Sequence, residues 1–270
     1  MSPLGMLFDH GCDSFVTFIV VSLGSYGLLL DNMLVLCLIL ISFQISFYFS
    51  TLREKYIHNH SNGIGYVGIG EAQCTAMIIL LVSGIWVPQF WNIQAFHIFN
   101  LKFRMKYILI IPVVLCSFLT GLKYFIDVIK LKKGLDFLEN ILPVLALFIT
   151  QYFWSQTLYF EKHNLICMTV SGIFFGLITV RLIVSNAVDC SVTLFHPEFF
   201  LVLIPAYICS FNYKFGVSFN ICHYSTLVCG FILMIISFTY SSLMVFQIAS
   251  FLKINIFRIN KPKEESIKQK

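Results

Sequence analysis

Eight apolar stretches separated by short polar segments run along the whole chain. They cover approximately residues 14–30, 33–50, 71–90, 107–129, 140–158, 164–186, 199–211 and 224–252. A helix needs about 17 to 25 mainly apolar residues to cross a membrane, and most of these stretches supply them. The seventh is short and contains Pro205, which favours a kinked or re-entrant segment. The pattern predicts an all-α, polytopic membrane helical bundle of about eight transmembrane helices.

The composition agrees with a membrane protein. Of the 270 residues, 58% are hydrophobic and 11% are charged, whereas about a quarter of a soluble domain is charged. We therefore predict one membrane domain over residues 1–260 and a polar cytosolic tail over 261–270, with the lipid bilayer and no nucleic acid as partner. Most of the nine cysteines lie inside apolar stretches, where they act as small hydrophobic residues, so we expect no disulfide framework. No cleavable signal peptide is expected.

The distribution of basic residues predicts the orientation. An even number of spans puts both termini on one side of the membrane, together with the segments 51–70 and 130–139. That side carries eleven basic residues in its loops and tail, against five on the other side. Positive charge favours the cytosolic side, so we expect cytosolic termini.

The beginning of the chain carries the candidate chemistry. Gly5, Asp9 and Asp13 are spaced by four residues and lead into the first apolar stretch. On a helix this spacing puts both carboxylates on one face about one turn apart, while Gly5 leaves room there for a substrate phosphate. Carboxylate oxygens suit Mg²⁺ or Mn²⁺. The alternative is that the two aspartates only cap the helix at its positive end.

The string from Ser2 to Ser14, which includes Phe8-Asp9-His10-Gly11-Cys12-Asp13, resembles the CDP-alcohol phosphotransferase class-I signature. Its second half reads Gly-x3-Asp-x3-Asp. The residues around Asp9 are most similar to those of the choline/ethanolaminephosphotransferase branch. This resemblance implies transfer of phosphoethanolamine or phosphocholine from CDP-ethanolamine or CDP-choline to diacylglycerol, with release of CMP. Nothing in the sequence separates choline from ethanolamine.

The resemblance also implies roles for single residues. Asp9 and Asp13 would bind metal, and His10 would be the catalytic base that accepts the proton of the diacylglycerol hydroxyl. Gly5 and Met6 would lie at the substrate, although the branch has glutamate where this chain has Met6. Glu71 and Gln73 resemble a polar segment at the start of a later helix and would support the head-group pocket. Capping of that helix is the alternative for Glu71.

Further strings extend the resemblance to about Asn260. Phe160-Glu161-Lys162-His163 is similar to a loop of the branch, and Gln247-Ile248-Ala249-Ser250 to its C-terminal run. The complete signature begins with two more aspartates and an Ala-Arg, and family members have about ten helices. The expectation is therefore a chain lacking the N-terminal part, as a truncated form or as a pseudoenzyme.

The expected function is the last step of phosphatidylethanolamine or phosphatidylcholine synthesis in the endoplasmic reticulum or Golgi membrane, by a homodimer as the resemblance implies. A second hypothesis is a catalytically inactive membrane partner of an active relative. A transporter or channel is disfavoured because no row of buried charges is evident. For Arg181, deep in the sixth stretch, we favour a side chain that reaches toward the interface over pairing with a helix end or a lipid phosphate.

Overall fold

The computed structural model describes residues 3–56, 69–98, 101–131, 135–188, 196–215 and 218–256. Eight α-helices make up most of this part of the chain, which confirms the predicted all-α bundle. They are α1 (Pro3–Gly27), α2 (Met33–Tyr56), α3 (Ile69–Trp86), α4 (Met105–Leu131), α5 (Leu135–Ser155), α6 (Leu158–Val188), α7 (Phe200–Phe215) and α8 (Phe219–Leu252). A short hairpin of β1 (Gln94–Ile98) and β2 (Leu101–Arg104) precedes α4.

Six of these helices are long and apolar enough to cross a membrane. They are α1, α2, α4, α5, α6 and α8, while α3 and the α7 region carry shorter apolar segments, Gln73–Trp86 and Pro197–Phe211. The seventh stretch is short, as the sequence indicates, and forms a 16-residue helix with Pro205 inside it; its kinked or re-entrant course stays a prediction. The predicted tail over 261–270 lies outside the described residues.

Three predicted boundaries differ from the structure. The helix of the first apolar stretch, α1, begins at Pro3 rather than near residue 14, and it contains Asp9 and Asp13 as their spacing predicts. α3 ends at Trp86, because Pro88 starts a short 3-10 helix that Val87 enters with a φ of 64°. The predicted loop at Phe160–His163 is wrong, since these residues are the first turns of α6, with a kink at His163.

Contacts between helices fix their directions. α1 runs antiparallel to α6, because Gly11 faces Val180 while Gly172 faces Phe18. α8 runs parallel to α6, as Gly230 faces Val170 and Tyr240 lies under Arg181. The N-terminus of α1 and the C-termini of α6 and α8 therefore share one end of the bundle, which we call the Asp9 end. The first and last described residues therefore lie at the same end of the bundle, as an even number of crossings requires.

α6 is the central helix of the bundle. Of the 18 most apolar consecutive residues of α6, 78% are buried, against 17% of those of α8 at the periphery. Gly172 and Gly176 leave space on α6 into which the rings of Phe18 and Phe15 of α1 pack. The small residues of α6 thus set how closely α1 approaches the core.

A polar clamp closes the opposite end. Lys106 of α4 is fully buried and its Nζ donates to the Leu29 carbonyl at 2.8 Å and to Asp31 Oδ1 at 2.9 Å. Arg104 also donates to Asp31, at 3.2 Å. The hydrogen bond from Lys106 lowers the pKa of Asp31 below its usual value. The clamp holds the turn between α1 and α2 against α4.

Candidate functional site

Asp9 and Asp13 lie in the second and third turns of α1, at the Asp9 end of the bundle. The Asp9 side chain is exposed and that of Asp13 is half-buried. Four residues rise about 6 Å along a helix and return to the same face. The structure therefore brings the two carboxylates to one side of α1, in the arrangement that the spacing predicts; their role as ligands stays a prediction.

His10 faces a different neighbour. Its imidazole is half-buried and lies 6.4 Å from the ring of Phe47 on α2. The Phe47 ring lies in turn 6.4 Å from Phe175 on α6. This row of aromatic rings supports one side of the imidazole, so that His10 is held against α2 next to the face that carries Asp9.

The two other predicted residues of α1 have different surroundings. Gly5 lies one turn before Asp9 and is half-buried. Met6 packs against a small apolar cluster of Leu7 with Val180 and Ile183 of α6. The Met6 side chain thus contributes to the contact between α1 and α6, and its contact with a substrate stays a prediction.

Glu71 and Gln73 lie in the first turns of α3, as predicted. α3 runs parallel to α1, and its Ala76 faces Gly24. Gly24 is about 16 Å beyond Asp13 along the axis of α1, so Gln73, one turn before Ala76, lies roughly 12 Å from the height of Asp13. The structure does not bring Gln73 to the carboxylates. The side chain of Glu71 lies outside the described part.

The residues present can hold part of a metal coordination sphere. Among the described residues no cluster of three or more His, Cys, Asp and Glu side chains could hold a metal ion. Asp9 and Asp13 offer two carboxylates on one face. Mg²⁺ is commonly bound by one or two carboxylates together with substrate phosphates and water. The donor set therefore fits a metal that arrives with a phosphorylated substrate, rather than a cage made by the protein alone.

A second polar cluster at the Asp9 end was missed by the sequence analysis. Arg181 of α6 donates to Glu198 Oε1 at 2.6 Å and Oε2 at 3.2 Å, and lies 2.6 Å from His196 Nδ1. Its guanidinium also lies 5.1 Å above the Tyr240 ring of α8. Burial, followed by the charge of Arg181, lowers the pKa of His196 to about 4.

This cluster corrects the interpretation of Arg181. The favoured interpretation, a side chain that reaches toward the interface, is wrong. The structure shows the alternative, pairing at a helix end, because Arg181 binds Glu198 in the turn that leads into α7. The side chains of Arg181 and Glu198 are only 18% and 13% exposed. The signal in the sequence was a glutamate after Pro197 at the next helix start, but pairing across a loop depends on how α6 and α7 pack.

Comparison with known proteins finds relatives at low identity. No family model matches the chain. The chain is 28% identical over 68% of its length to "Uncharacterized CDP-alcohol phosphatidyltransferase class-I family protein 1" of Dictyostelium discoideum, covering 49% of that protein. Proteins 3 and 2 of the same name and organism are 23% and 26% identical over 96% and 75% of the chain, which covers 72% and 49% of them.

The chain thus spans about half the length of two of these curated relatives. The alignment with protein 3 extends over almost the whole chain, beyond the string at Asp9. The family resemblance that the string predicts is therefore confirmed at low identity: the chain is similar to proteins named as CDP-alcohol phosphatidyltransferase class-I family proteins.

Proposed function

We propose that this protein is an integral membrane transferase of the choline/ethanolaminephosphotransferase type. It transfers phosphoethanolamine or phosphocholine from the CDP-linked alcohol to diacylglycerol, and CMP leaves. The observation that carries the proposal is the pair Asp9 and Asp13 on one face of α1, within a chain whose relatives are named as CDP-alcohol phosphatidyltransferases. The branch and both substrates rest on the resemblance of residues 2–14.

Asp9 and Asp13 would hold Mg²⁺ or Mn²⁺ together with the diphosphate of the substrate. When bound, such an ion neutralises the charge that develops as the phosphoanhydride breaks. Gly5, one turn earlier on the same side of α1, leaves the helix surface low where a phosphate approaches. The two carboxylates orient the CDP-alcohol at the Asp9 end of the bundle.

His10 is the proposed general base. An imidazole accepts a proton near neutral pH, and the contact with Phe47 restrains its ring beside the Asp9 face. In this role it takes the proton from the diacylglycerol hydroxyl as the oxygen attacks phosphorus. Glu71 and Gln73 of α3 are proposed to support the head group.

The membrane setting follows the same reasoning. Arg53 and Lys55 end α2, Lys130 lies in the last turn of α4, and Lys253 follows α8, all at the Asp9 end. We place this end on the cytosolic side of an endoplasmic reticulum or Golgi membrane, where CDP-alcohols are accessible. Diacylglycerol arrives sideways from the bilayer.

The test is transfer of labelled head group from CDP-ethanolamine or CDP-choline to diacylglycerol by the full chain in lipid nanodiscs. We expect Asp13→Asn to abolish Mg²⁺-dependent or Mn²⁺-dependent transfer, because the amide no longer supplies a charged ligand. Glu161→Gln is the matched control, since this exposed carboxylate lies at the opposite end of the bundle. Transfer retained by Asp13→Asn contradicts the proposal.

A second function is favoured by one observation. Only two carboxylates of the described residues meet at the candidate site, and Met6 packs into the bundle. An inactive chain that forms a membrane complex with an active relative would keep the helices without a complete site. Co-purification with such a relative, with no transfer by the chain alone, supports this function; a chain that purifies by itself and transfers head group excludes it.

A further inference from the structure

A groove of about 640 Å³ lies between α1, α6 and α8. Its walls are almost entirely apolar and include Phe8 and Phe15 of α1, Val180 of α6, and Phe238 and Phe246 of α8. All three helices are long and apolar enough to cross a membrane. A groove with such walls at this position is suited to hydrocarbon chains rather than to a soluble ligand.

Serines of α8 interrupt the apolar wall, namely Ser237, Ser241 and Ser242. Ser237 and Ser241 lie one turn apart on α8, and their Oγ atoms are buried without a hydrogen-bond partner among the described residues. Ser237 is only 3% exposed. Most other described serines and threonines in these helices donate to a carbonyl of their own helix, as Ser22 does to Phe18 and Thr226 to Cys222. Two unpaired donors side by side in an apolar groove point to a ligand that brings acceptors.

The groove borders the face that carries Asp9 and Asp13. Gly11 and Cys12 of α1 line it. At about 100° per residue, Cys12 projects roughly 60° away from Asp9 around α1. A ligand in the groove therefore has its end beside the carboxylates without displacing any helix.

The hydroxyls lie at a matching depth. Val180 is opposite Gly11, and the next residue, Arg181, lies over Tyr240. Ser241, adjacent to Tyr240, is thus at about the height of Gly11, and Ser237 lies about 6 Å deeper. The hydroxyls therefore lie at about the depth of Asp13, and the apolar wall continues inward from them to Ile173 and Met234.

We propose that this groove binds the acceptor lipid, with an acyl chain along the apolar wall and its ester carbonyls accepting hydrogen bonds from Ser237 and Ser241. Carboxylates and hydroxyls at one depth, with the apolar wall continuing inward, suit an ester-linked lipid alcohol, whose hydroxyl and esters lie on neighbouring carbons and whose hydrocarbon chains extend from the esters. A hydrocarbon chain alone leaves both serines unpaired. That the bound lipid is the acceptor of the reaction rests on the proposed transferase function, whereas the selectivity for an ester-linked lipid does not.

The experiment compares two lipids with the full chain in nanodiscs. A diacylglycerol that carries a diazirine on one acyl chain is crosslinked, and the labelled peptides are mapped. Unlabelled diacylglycerol and a dialkylglycerol of equal chain length compete; the latter has ether oxygens in place of the ester groups. We expect labels on α1, α6 and α8, and about tenfold weaker competition by the ether lipid, as for one or two lost hydrogen bonds.

Variants locate the selectivity. Ser237→Ala with Ser241→Ala should remove the difference between ester and ether lipids. Ser225→Ala, whose Oγ donates to the Cys222 carbonyl of the same helix, should leave it unchanged. Ser237→Phe should fill the groove and suppress labelling, while circular dichroism verifies that each variant keeps its helices.

The proposal is overturned by labels that map to other helices, by equal competition of the two lipids, or by an ester preference that survives the double alanine variant. Protection of Cys12 from alkylation that depends on protein density instead of lipid would indicate a second copy of the chain in the groove, which also overturns it. Ester-selective labelling without transfer from either CDP-alcohol retains the lipid site and refutes the transferase. Transfer from a CDP-alcohol with crosslinks on other helices retains the transferase and refutes the lipid site.

Discussion

Gly172→Ala tests whether the packing of α1 against α6 sets the position of the candidate site. A methyl group at Gly172 would overlap the Phe18 ring and lie 2.7 Å from Phe18 Cβ. A change in the χ1 angle of Phe18 moves Cγ and Cδ1 but leaves Cβ in place, so α1 itself has to shift. Overpacking of this kind costs about 1 to 3 kcal/mol, and the higher helix propensity of alanine offsets up to roughly 1 kcal/mol of it.

Gly84→Ala is the matched control for that offset. It makes the same substitution within α3, where a methyl group meets no atom within 4 Å. The difference between the two variants in free energy of unfolding therefore isolates the overlap, at about 1 to 3 kcal/mol. The measurement is unfolding by SDS in mixed micelles, followed by circular dichroism.

The same substitution in a Phe18→Ala background completes a double-mutant cycle. Because alanine removes the ring, Gly172→Ala should then cost much less, with a coupling of about 1 kcal/mol or more. Equal stability of the Gly172→Ala and Gly84→Ala variants would refute the reasoning, as would an unchanged cost in the Phe18→Ala background.

Three further changes test the polar clusters. Glu198→Gln leaves the Arg181 guanidinium largely buried without a counter-charge and should lower the free energy of unfolding by about 3 kcal/mol in the same titration. The pKa of His196 is lowered to about 4, so the unfolded chain binds more protons than the folded chain between about pH 4 and about pH 6.5. The free energy of unfolding should therefore decrease as the pH is lowered through this window, and His196→Gln should flatten that pH profile. Asp31→Asn removes the carboxylate that the Lys106 ammonium binds, which should cost about 1 kcal/mol at neutral pH; since the pKa of Asp31 is lowered, the difference from the unsubstituted chain should disappear as the pH falls through that pKa, and a difference that persists in acid would contradict this contact.

The helices were predictable because a bilayer offers no partner for backbone amides, so long apolar runs have few alternatives to a helix. The start of α1 was not predictable from apolarity alone, because Asp9, His10 and Asp13 interrupt the pattern although the backbone continues as a helix from Pro3. Counting apolar residues locates the part of a helix that lies in lipid. It does not locate polar turns that continue beyond the hydrocarbon.

The candidate site was predictable only where its residues are close in the sequence. Spacing by four placed Asp9 and Asp13 together, since both belong to one helix. The partner of Arg181 was not predictable, because Glu198 reaches it only after α6 and α7 pack side by side. For the same reason, Ser237 and Ser241 gave no signal: a serine in an apolar helix usually bonds to its own backbone, and only the packed bundle shows that these two do not.

α1 brings these features together because four sides of one helix have four tasks. One side carries Asp9 and Asp13, a second holds His10 against Phe47, a third packs through Gly11 on α6, and a fourth lines the groove at Phe8. A rigid helix keeps these sides at fixed angles, so a shift of α1 moves the metal face, the base and the lipid wall together. A change at Gly172 should therefore lower both transfer and lipid labelling, whereas the double alanine change on α8 should alter lipid selectivity alone. Loss of transfer in the Gly172 variant with lipid labelling intact would show that α1 does not couple the two sites.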